Sequence, residues 1–240
     1  MRIDANGLHF SVLDKAVRDA GDRDITIDNC IGQRYIGSGL SGKNVVINGT
    51  PGNALGAYLN GADITVHGNV QEATGDTMNG GEIVVYGSAG DATGYAMRGG
   101  KIFVEGDVGY RCGIHMKAYR ENKPAIVIGG RTGSFLGEYQ AGGIIIVLGD
   151  SLGEKPVIGN FCGTGMHGGE MYVHCEQIPT RLPAQVKAER LERLPEGEAA
   201  QLVREWCAKF GKDSEKYLNC IYYRLTPDSA NPYKQMYTQN

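Results

Sequence analysis

Several signatures that assign a chain to a class are missing here. No stretch of the 240 residues approaches the ~18 or more consecutive apolar residues that a membrane span requires. The opening MRIDANGLHFSVLDKAV has none of the basic, apolar and small-residue zones of a signal peptide, so cytoplasmic residence is expected. Neither sign of charge is in excess. With 24 basic and 27 acidic residues the formal net charge is -3, which gives no reason to expect nucleic acid or an acidic membrane surface as partner. The six cysteines (Cys30, Cys112, Cys162, Cys175, Cys207, Cys220) contain no C-x-x-C pair, which argues against zinc fingers, thioredoxin chemistry and ferredoxin-type clusters. They read as small buried hydrophobes or free thiols. No serine stands in a G-x-S-x-G elbow, and the aspartates do not cluster as in a calcium-dependent polysaccharide lyase. Glycine is what the chain has in abundance: 37 of 240 residues, about twice the usual ~7% and without a collagen G-X-Y period.

The glycines fall in register. IGQRYIGSGLSGKNVVING from Ile31, TPGNALGAYLNGADITVHG from Thr50, NVQEATGDTMNGGEIVVYG from Asn69 and SAGDATGYAMRGGKIFVEG from Ser88 are successive nineteen-residue units. The period stretches to twenty-four residues from Asp107 to Gly130 and returns to nineteen from Arg131 to Gly149. A fixed period of this length marks a protein built by stacking one small unit. Each unit ends in an apolar run before its closing glycine, with the first and third places of the run always apolar. Successive strand side chains point to opposite faces, so those two places face a core. The inward pairs expected are Ile25/Ile27, Val45/Ile47, Ile64/Val66, Ile83/Val85, Ile102/Val104, Ala125/Val127, Ile145/Val147 and Met171/Val173. The places between them (Thr65, Val84, Phe103, Ile126, Ile146, Tyr172) grow more apolar toward the C-terminus, so a helix or partner is expected to cover that face there.

Place 7 of every unit is glycine as well: Gly37, Gly56, Gly75, Gly94, Gly113 and Gly137. A side chain missing six times at one place suggests positive φ or a close backbone approach at a corner. Nineteen residues are too few for a βαβ unit, which needs ~30, but suit two or three short strands joined by glycine corners. Connections between parallel strands are overwhelmingly right-handed. The cadence of six that marks the left-handed hexapeptide helix is absent. The expected fold is therefore all-β: a right-handed parallel β-helix, a single solenoid of about eight rungs, stacked ~4.8 Å apart into a rod of roughly 35–40 Å.

Both ends of such a rod need covering. Ser11 to Ala20 reads as a short helix capped by Ser11 and ended by Gly21, an N-terminal plug. QIPTRLPAQVK reads as a proline-marked connection. Glu198 to Phe210 is an amphipathic helix stopped by Gly211, and a second helix is expected from Ser214 to Tyr222. These helices are expected to cap the last coil, and NPYKQMYTQN to run extended. The division is an N-terminal helical cap (1–24), a parallel β-helix (25–176) and a helical and extended C-terminal tail (177–240).

Chemistry is harder to find. Gly37–Gly42 and Gly163–Gly168 match G-x-G-x-x-G, but strands follow both and no helix opens, so dinucleotide binding is not expected. Gly129–Gly133 lacks the G-K-[ST] ending of a phosphate loop. Cys112/His115 and His174/Cys175 offer two ligands each where a structural zinc needs four, and Cys112 three residues from His115 is no evidence of a nucleophile and base in contact. No catalytic, cofactor-binding or metal-binding residue emerges. The lengthened coil is more informative, because insertions in a solenoid emerge on one face, often the contacting one. The five extra residues fall within GIHMKAYRENKPA, which carries His115, Lys117, Tyr119, Arg120 and Glu121; with Arg111 shortly before it and Arg131 just after its coil, these are expected to form a candidate partner surface. The last long coil, around NFCGTGMHGGEMYVHCE, is also extended.

GQRYIGSGLSG (32–42), CGIHMKAYRENKPAIVIGGRTGSFLGEYQAGGIIIVLG (112–149) and GTGMHGG (163–169) resemble, in correct order, the G-x-G-x-G β-helix domain that closes the large subunit of glutamate synthase. The similarity runs from about Gly32 to Cys175, and the flanks suit the stand-alone version encoded as a separate polypeptide. One of the subunits of formylmethanofuran dehydrogenase resembles the same domain more distantly. The resemblance implies a non-catalytic scaffold, with no cofactor of its own, bracing a glutamine amidotransferase chain against an FMN and iron–sulfur synthase chain that make glutamate from glutamine and 2-oxoglutarate. The alternative it implies is the equivalent brace in N-methylglutamate synthase or formylmethanofuran dehydrogenase. An independent cofactor-binding enzyme is the weaker reading, and a homo-oligomer is compatible with any of these.

Overall fold

In the computed structural model, which describes residues 1–150 and 156–229, the period becomes a stack of coils. The chain runs β1 (Arg2–Asp4), α1 (Phe10–Asp19), β2 (Asp24–Ile31), β3 (Asn44–Thr50), β4 (Asn60–His67), β5 (Gly80–Val85), β6 (Lys101–Val104), β7 (Ala125–Ile128), β8 (Ala141–Val147) and β9 (Gly168–His174). Then follow β10 (Val186–Leu191), α2 (Glu198–Phe210), α3 (Ser214–Leu218) and β11 (Tyr222–Pro227). All eleven strands form one sheet in the order β1-β2-β3-β4-β5-β6-β7-β8-β9-β11-β10. From β1 to β9 every neighbour is parallel, whereas β9–β11 and β11–β10 are antiparallel. The protein is mostly β, with few helices and a solenoid-like build.

Each regular coil closes through two further features. Place 2 carries a second, minimal parallel ladder: Val70 to Ala89, Ala89 to Val108 and Val108 to Thr132. Places 4 to 10 form the corner. There the N–H groups of places 5 and 9 donate to the following coil, while that of place 7 donates to the preceding one. In the coil from Ser88, Ala92 bonds Tyr110 O (2.8 Å), Gly94 bonds Thr74 O (2.8 Å) and Ala96 bonds Ile114 O (2.8 Å). Corner backbone is thus satisfied by its neighbours, as buried polar groups must be. Inward, place 6 (Leu55, Cys112, Leu136) and place 10 (Leu59, Met78, Met97, Met116) meet the strand side chains in one buried core.

The place-7 glycine answers both expectations made for it. Gly75 has φ +70°, and a Cβ added there would lie 2.5 Å from Ile102 Cδ1 on the next strand but one. The left-handed region also extends to places 5 and 9, where residues other than glycine occupy it: Ala54, Tyr58, Ala73, Thr77, Ala92, Ala96, Arg111, His115, Phe135, Tyr139 and Phe161.

One inward pair is corrected. Ile102 pairs with Ile126 and Val104 with Ile128, so β7 turns Ile126 and Ile128 to the core and Ala125 and Val127 away from it. The lengthened coil closes on Gly130, and counting back from there, rather than from Gly129, gives this phase. A one-residue slip exchanges the two faces of a strand. The other seven pairs face the core as expected.

The opposite face of the sheet carries a second core. Val84, Phe103, Val127, Ile146 and Tyr172 form a buried row under Leu202, Val203, Trp206 and Cys207 of α2, joined by Tyr217, Leu218 and Tyr222. The expected cover is therefore a helix, with Val127 in the row instead of Ile126. The Trp206 indole N–H donates to Val104 O (2.8 Å), and Gly129 leaves the space its six-membered ring occupies. Around this core, the half-buried pairs Lys101–Glu205 (2.6 Å) and Lys209–Glu82 (2.6 Å) orient the helix.

The flanking elements differ from expectation in several ways. α1 begins at Phe10 with His9, not Ser11, as its N-cap, and buries Leu13 and Val17. α3 stops at Leu218, because the apolar residues after it alternate and enter β11. α2 and α3 lie along the side of the sheet instead of capping its end. The apolar row there offers a helix more to bury, and the open edge of β9 is paired by backbone from β11. β1, β10 and β11 have no counterpart among the expected elements, and the tail at 231–240 lies outside the described residues.

Two stability measurements follow. Trp206→Ala should cost about 3–5 kcal/mol in chemical denaturation, the range for emptying a large buried aromatic site. Gly75→Ala should cost more than Gly39→Ala. Both sites have positive φ, worth about 1–2 kcal/mol for a Cβ, but at Gly39 a Cβ would meet nothing within 4 Å. Equal losses at the two sites would mean that close coil approach contributes nothing.

Candidate functional site

The five extra residues leave the coil between its corner and β7. Tyr119 and Asn122 exchange two backbone hydrogen bonds of 3.0 Å, closing a tight turn over Arg120 and Glu121. The base of this loop is anchored. Ala118 packs where Gly142 has no side chain, buried Pro124 packs against Gly143, and Lys123 reaches Glu198 at the start of α2 (3.2 Å). Its tip is solvated: Tyr119, Arg120 and Glu121 are exposed, with the Arg120 guanidinium 5.2 Å from the Tyr119 ring centre.

Arg111 and His115 stand on the corner before the loop, at places 5 and 9. Both are exposed and left-handed, with φ +57° and +56°. Arg111 pairs with Glu138 (3.2 Å) and lies 5.1 Å from the Phe135 ring centre. Phe135 in turn stacks on Phe161 at 5.2 Å. The His115 ring stacks on Tyr139 at 5.0 Å and 10°, and meets Tyr95 edge-on at 5.9 Å. Lys117 follows two residues later, exposed. The corner thus unites Arg111, His115 and Lys117, with Tyr119, Arg120 and Glu121 on the loop beyond. Arg131 opens the next coil, four residues before Phe135, and its backbone N–H donates to Asp107 (2.8 Å).

Tyr95, Phe135, Tyr139 and Phe161 were not among the residues expected at the surface. Where there was a signal, it lay in the repeat columns. For Tyr139 at place 9, glycine in the same column at Gly39 and Gly165 marks a left-handed position that projects outward; Phe135 and Phe161 at place 5 and Tyr95 at place 8 have no glycine in their columns to mark them.

A cavity of about 410 Å³ opens between the loop base and the start of α2. Its charged residues are all paired, Glu196 with Arg204 outside the cavity (2.7 Å) and the others with one another. Arg224 binds Glu170 (2.8 Å), Tyr172 donates its hydroxyl to Glu170 (2.6 Å), and Lys123 meets Glu198. Burial pushes the Glu170 carboxyl up, but the hydrogen bonds from Tyr172 and Arg224 outweigh it and hold it below the usual range. Burial, then the bond to Glu170, pushes the Tyr172 phenol well above its ordinary value. Glu170 stays an anion and Tyr172 neutral at physiological pH, a structural network with neither group poised to exchange protons.

The sulfur and imidazole candidates separate as well. Burial raises the Cys112 and Cys162 thiols to about 12, and those of Cys30, Cys175 and Cys207 to about 11. A nucleophile or metal ligand needs the thiolate, which these sites disfavour. Cys112 faces the core while His115 faces solvent, so they form no pair. The Nδ1 atoms of His167 and His174 lie against the carbonyls of Gly165 (3.0 Å) and Leu148 (2.6 Å), and each must donate a proton there. Among the described residues no group of three or more His, Cys, Asp or Glu is placed to hold a metal. The two G-x-G-x-x-G stretches form corners followed by β3 and β9, and among the described residues no helix is long and apolar enough to cross a membrane.

Comparison with known proteins fits this build. An uncharacterized protein of Methanocaldococcus jannaschii is 41% identical over 251 residues, spanning 98% of this chain and 95% of that protein. A chain of the formyltransferase/hydrolase complex from Methylorubrum extorquens, solved with methylofuran, superposes with a TM-score of 0.65 over 93% of this chain and 91% of that one. At 19% identity that likeness shows a shared fold. The GXGXG motif profile matches residues 15–224, most of the chain, and the protein belongs to the GXGXG motif family.

Proposed function

We propose that the chain is a non-catalytic scaffold within a larger assembly of several different chains. In this reading it is a right-handed parallel β-helix of about eight rungs, residues 25–176, whose flanking segments 1–24 and 177–240 complete a rigid brace. The observation that carries the proposal is the end-to-end likeness to a chain of the formyltransferase/hydrolase complex, 93% of one against 91% of the other. A whole chain with this shape serves there inside a larger assembly. Two features of the molecule support it: the coil interior is filled by side chains, and the thiols with chemical potential are buried and protonated.

The parent complex favoured by that likeness is of the formyl-transferring kind, the formylmethanofuran dehydrogenase type of brace. A second reading keeps a specific observation of its own. The lengthened coil carries the G-x-H-M-K insertion followed by F-L-G-E-Y, which resembles the glutamate synthase domain, where the partners would be a glutamine amidotransferase chain and an FMN and iron–sulfur synthase chain. In either case the loop is the expected contact, with Lys117, Tyr119, Arg120 and Glu121 reaching the partner and Arg111, His115 and Arg131 at its root.

Affinity purification of the tagged chain from its source cells, followed by mass spectrometry, tests both readings. Formyltransferase- and hydrolase-like chains should accompany it in constant ratio. An amidotransferase chain with a flavin-containing chain would select the second reading, and a chain recovered alone would overturn the scaffold. Replacing Lys117, Tyr119 and Arg120 together with alanine should weaken assembly while changing stability by no more than about 0.5 kcal/mol, as surface substitutions do. Undiminished assembly would return the loop to solvent.

A further inference from the structure

Places 5 and 9 of each corner are left-handed, a conformation that costs a residue with a Cβ roughly 1–2 kcal/mol. Larger residues stand at some of them (Tyr35, Tyr58, Thr77, Arg111, Phe135 and Phe161), but several coils fill them with glycine or alanine: Gly39, Ala54, Ala73, Ala92, Ala96 and Gly165. On neighbouring coils His115 and Tyr139 stand there instead, with Tyr95 beside them, and the three rings form one continuous run. Tyr95 remains 40% exposed, and His115 is exposed too. The fold does not require these rings, since smaller residues serve the same places elsewhere. Strain kept at outward rings, exposed at His115 and half-buried at Tyr139, where it adds nothing to the core, points to a surface used for binding.

The charges beside the rings give the surface a sign. Arg98 and Lys117 both occupy place 11, on consecutive coils, so their Cα atoms stand about one strand spacing, ~4.8 Å, apart. Both are exposed, and neither makes an ion pair among the described residues. Arg120 projects from the loop just beyond. The carboxylates at place 8 of nearby coils are engaged elsewhere, Asp76 by the Thr77 hydroxyl (2.7 Å) and Glu138 by Arg111 (3.2 Å). The loop adds one carboxylate, Glu121 beside Arg120, so the surface keeps an excess of positive charge; two stacked like charges repel, an arrangement that an anionic occupant would reverse.

We propose that the corner formed by Tyr95, Arg98, His115, Lys117 and Tyr139 docks an acidic, extended segment of a partner subunit. Apolar side chains of that segment lie on the three rings, and its carboxylates meet Arg98 and Lys117. An extended chain advances ~3.3 Å per residue, so carboxylates two residues apart match the two cations within side-chain reach. The inference rests on the scaffold reading and identifies where, and by what chemistry, the scaffold is held.

The test uses the full-length tagged chain in its source cells. Arg98→Glu/Lys117→Glu should reduce the partner chains recovered with it at least about tenfold, against the amount the wild type recovers. A photo-cross-linking residue at Tyr95 should join to a partner segment rich in Asp and Glu. His115→Gly should also weaken recovery while leaving the Tm of the free chain equal to or above that of the wild type, because glycine relieves the left-handed strain. Undiminished recovery by the charge-reversed chain overturns the inference, as does a cross-link to a basic segment or to nucleic acid. A wild type that recovers no partner overturns the scaffold reading itself, so the two failures are distinguishable.

Discussion

Coil-to-coil approach at the corner is the constraint on which the rest depends. Strands stacked at ~4.8 Å bring each corner against the side chains of its neighbours. At Gly75 the space a Cβ would need is already held by Ile102. That glycine is therefore a packing residue as much as a turn residue: its absent side chain lets the isoleucine column close. The backbone follows the same logic, since alternate corner N–H groups bond forward and backward along the stack. A corner displaced by one residue would forfeit these bonds and drive a side chain into the core. The nineteen-residue spacing is consequently held by sterics and hydrogen bonding together.

With its interior closed in this way, the solenoid has two outer surfaces left to use. One is the far side of the sheet, where Phe103, Val127 and Ile146 would be an apolar liability in water. The chain covers it with its own helix, anchored by Trp206. The other is the corner itself, left open, where aromatic rings stand beside Arg98 and Lys117, which make no ion pair among the described residues. Covering one surface and exposing the other leaves a body with one open face, which is what the proposed scaffold role would use.

Much of this was legible in the sequence, and the failures have physical causes. The period located the sheet, and seven of the eight inward pairs faced the core as read. The rising apolarity of Val84, Phe103 and Ile146 announced a cover, by helix or partner, and α2 supplies it. The pair at β7 failed because two adjacent glycines, Gly129 and Gly130, offered two phases, and a slip of one inverts a strand. β10 and β11 escaped notice because VKAERL and YYRLTP lie outside the repeat. Their pairing is set by the edge of β9, a tertiary fact with no local mark. For the candidate surface, the loop residues stand out because they break the period. Tyr95, Arg98 and Tyr139 do not, because they keep it.

That difference says where function can reside in a repeat protein of this kind. Places 6, 7, 10, 15 and 17 are committed to the interior, and any coil that changes them weakens its neighbours. Places 5, 8, 9 and 11 point outward and are held by backbone bonds that no side chain supplies. Their chemistry can change without disturbing the stack, apart from local strain where a Cβ occupies a left-handed site. An outward residue that accepts this strain without adding to the core is thus better evidence of binding than an exposed residue in relaxed backbone. By that criterion His115 and Tyr139, and Arg120 at the loop tip, which is left-handed too (φ +55°), are more informative than Glu121 beside it.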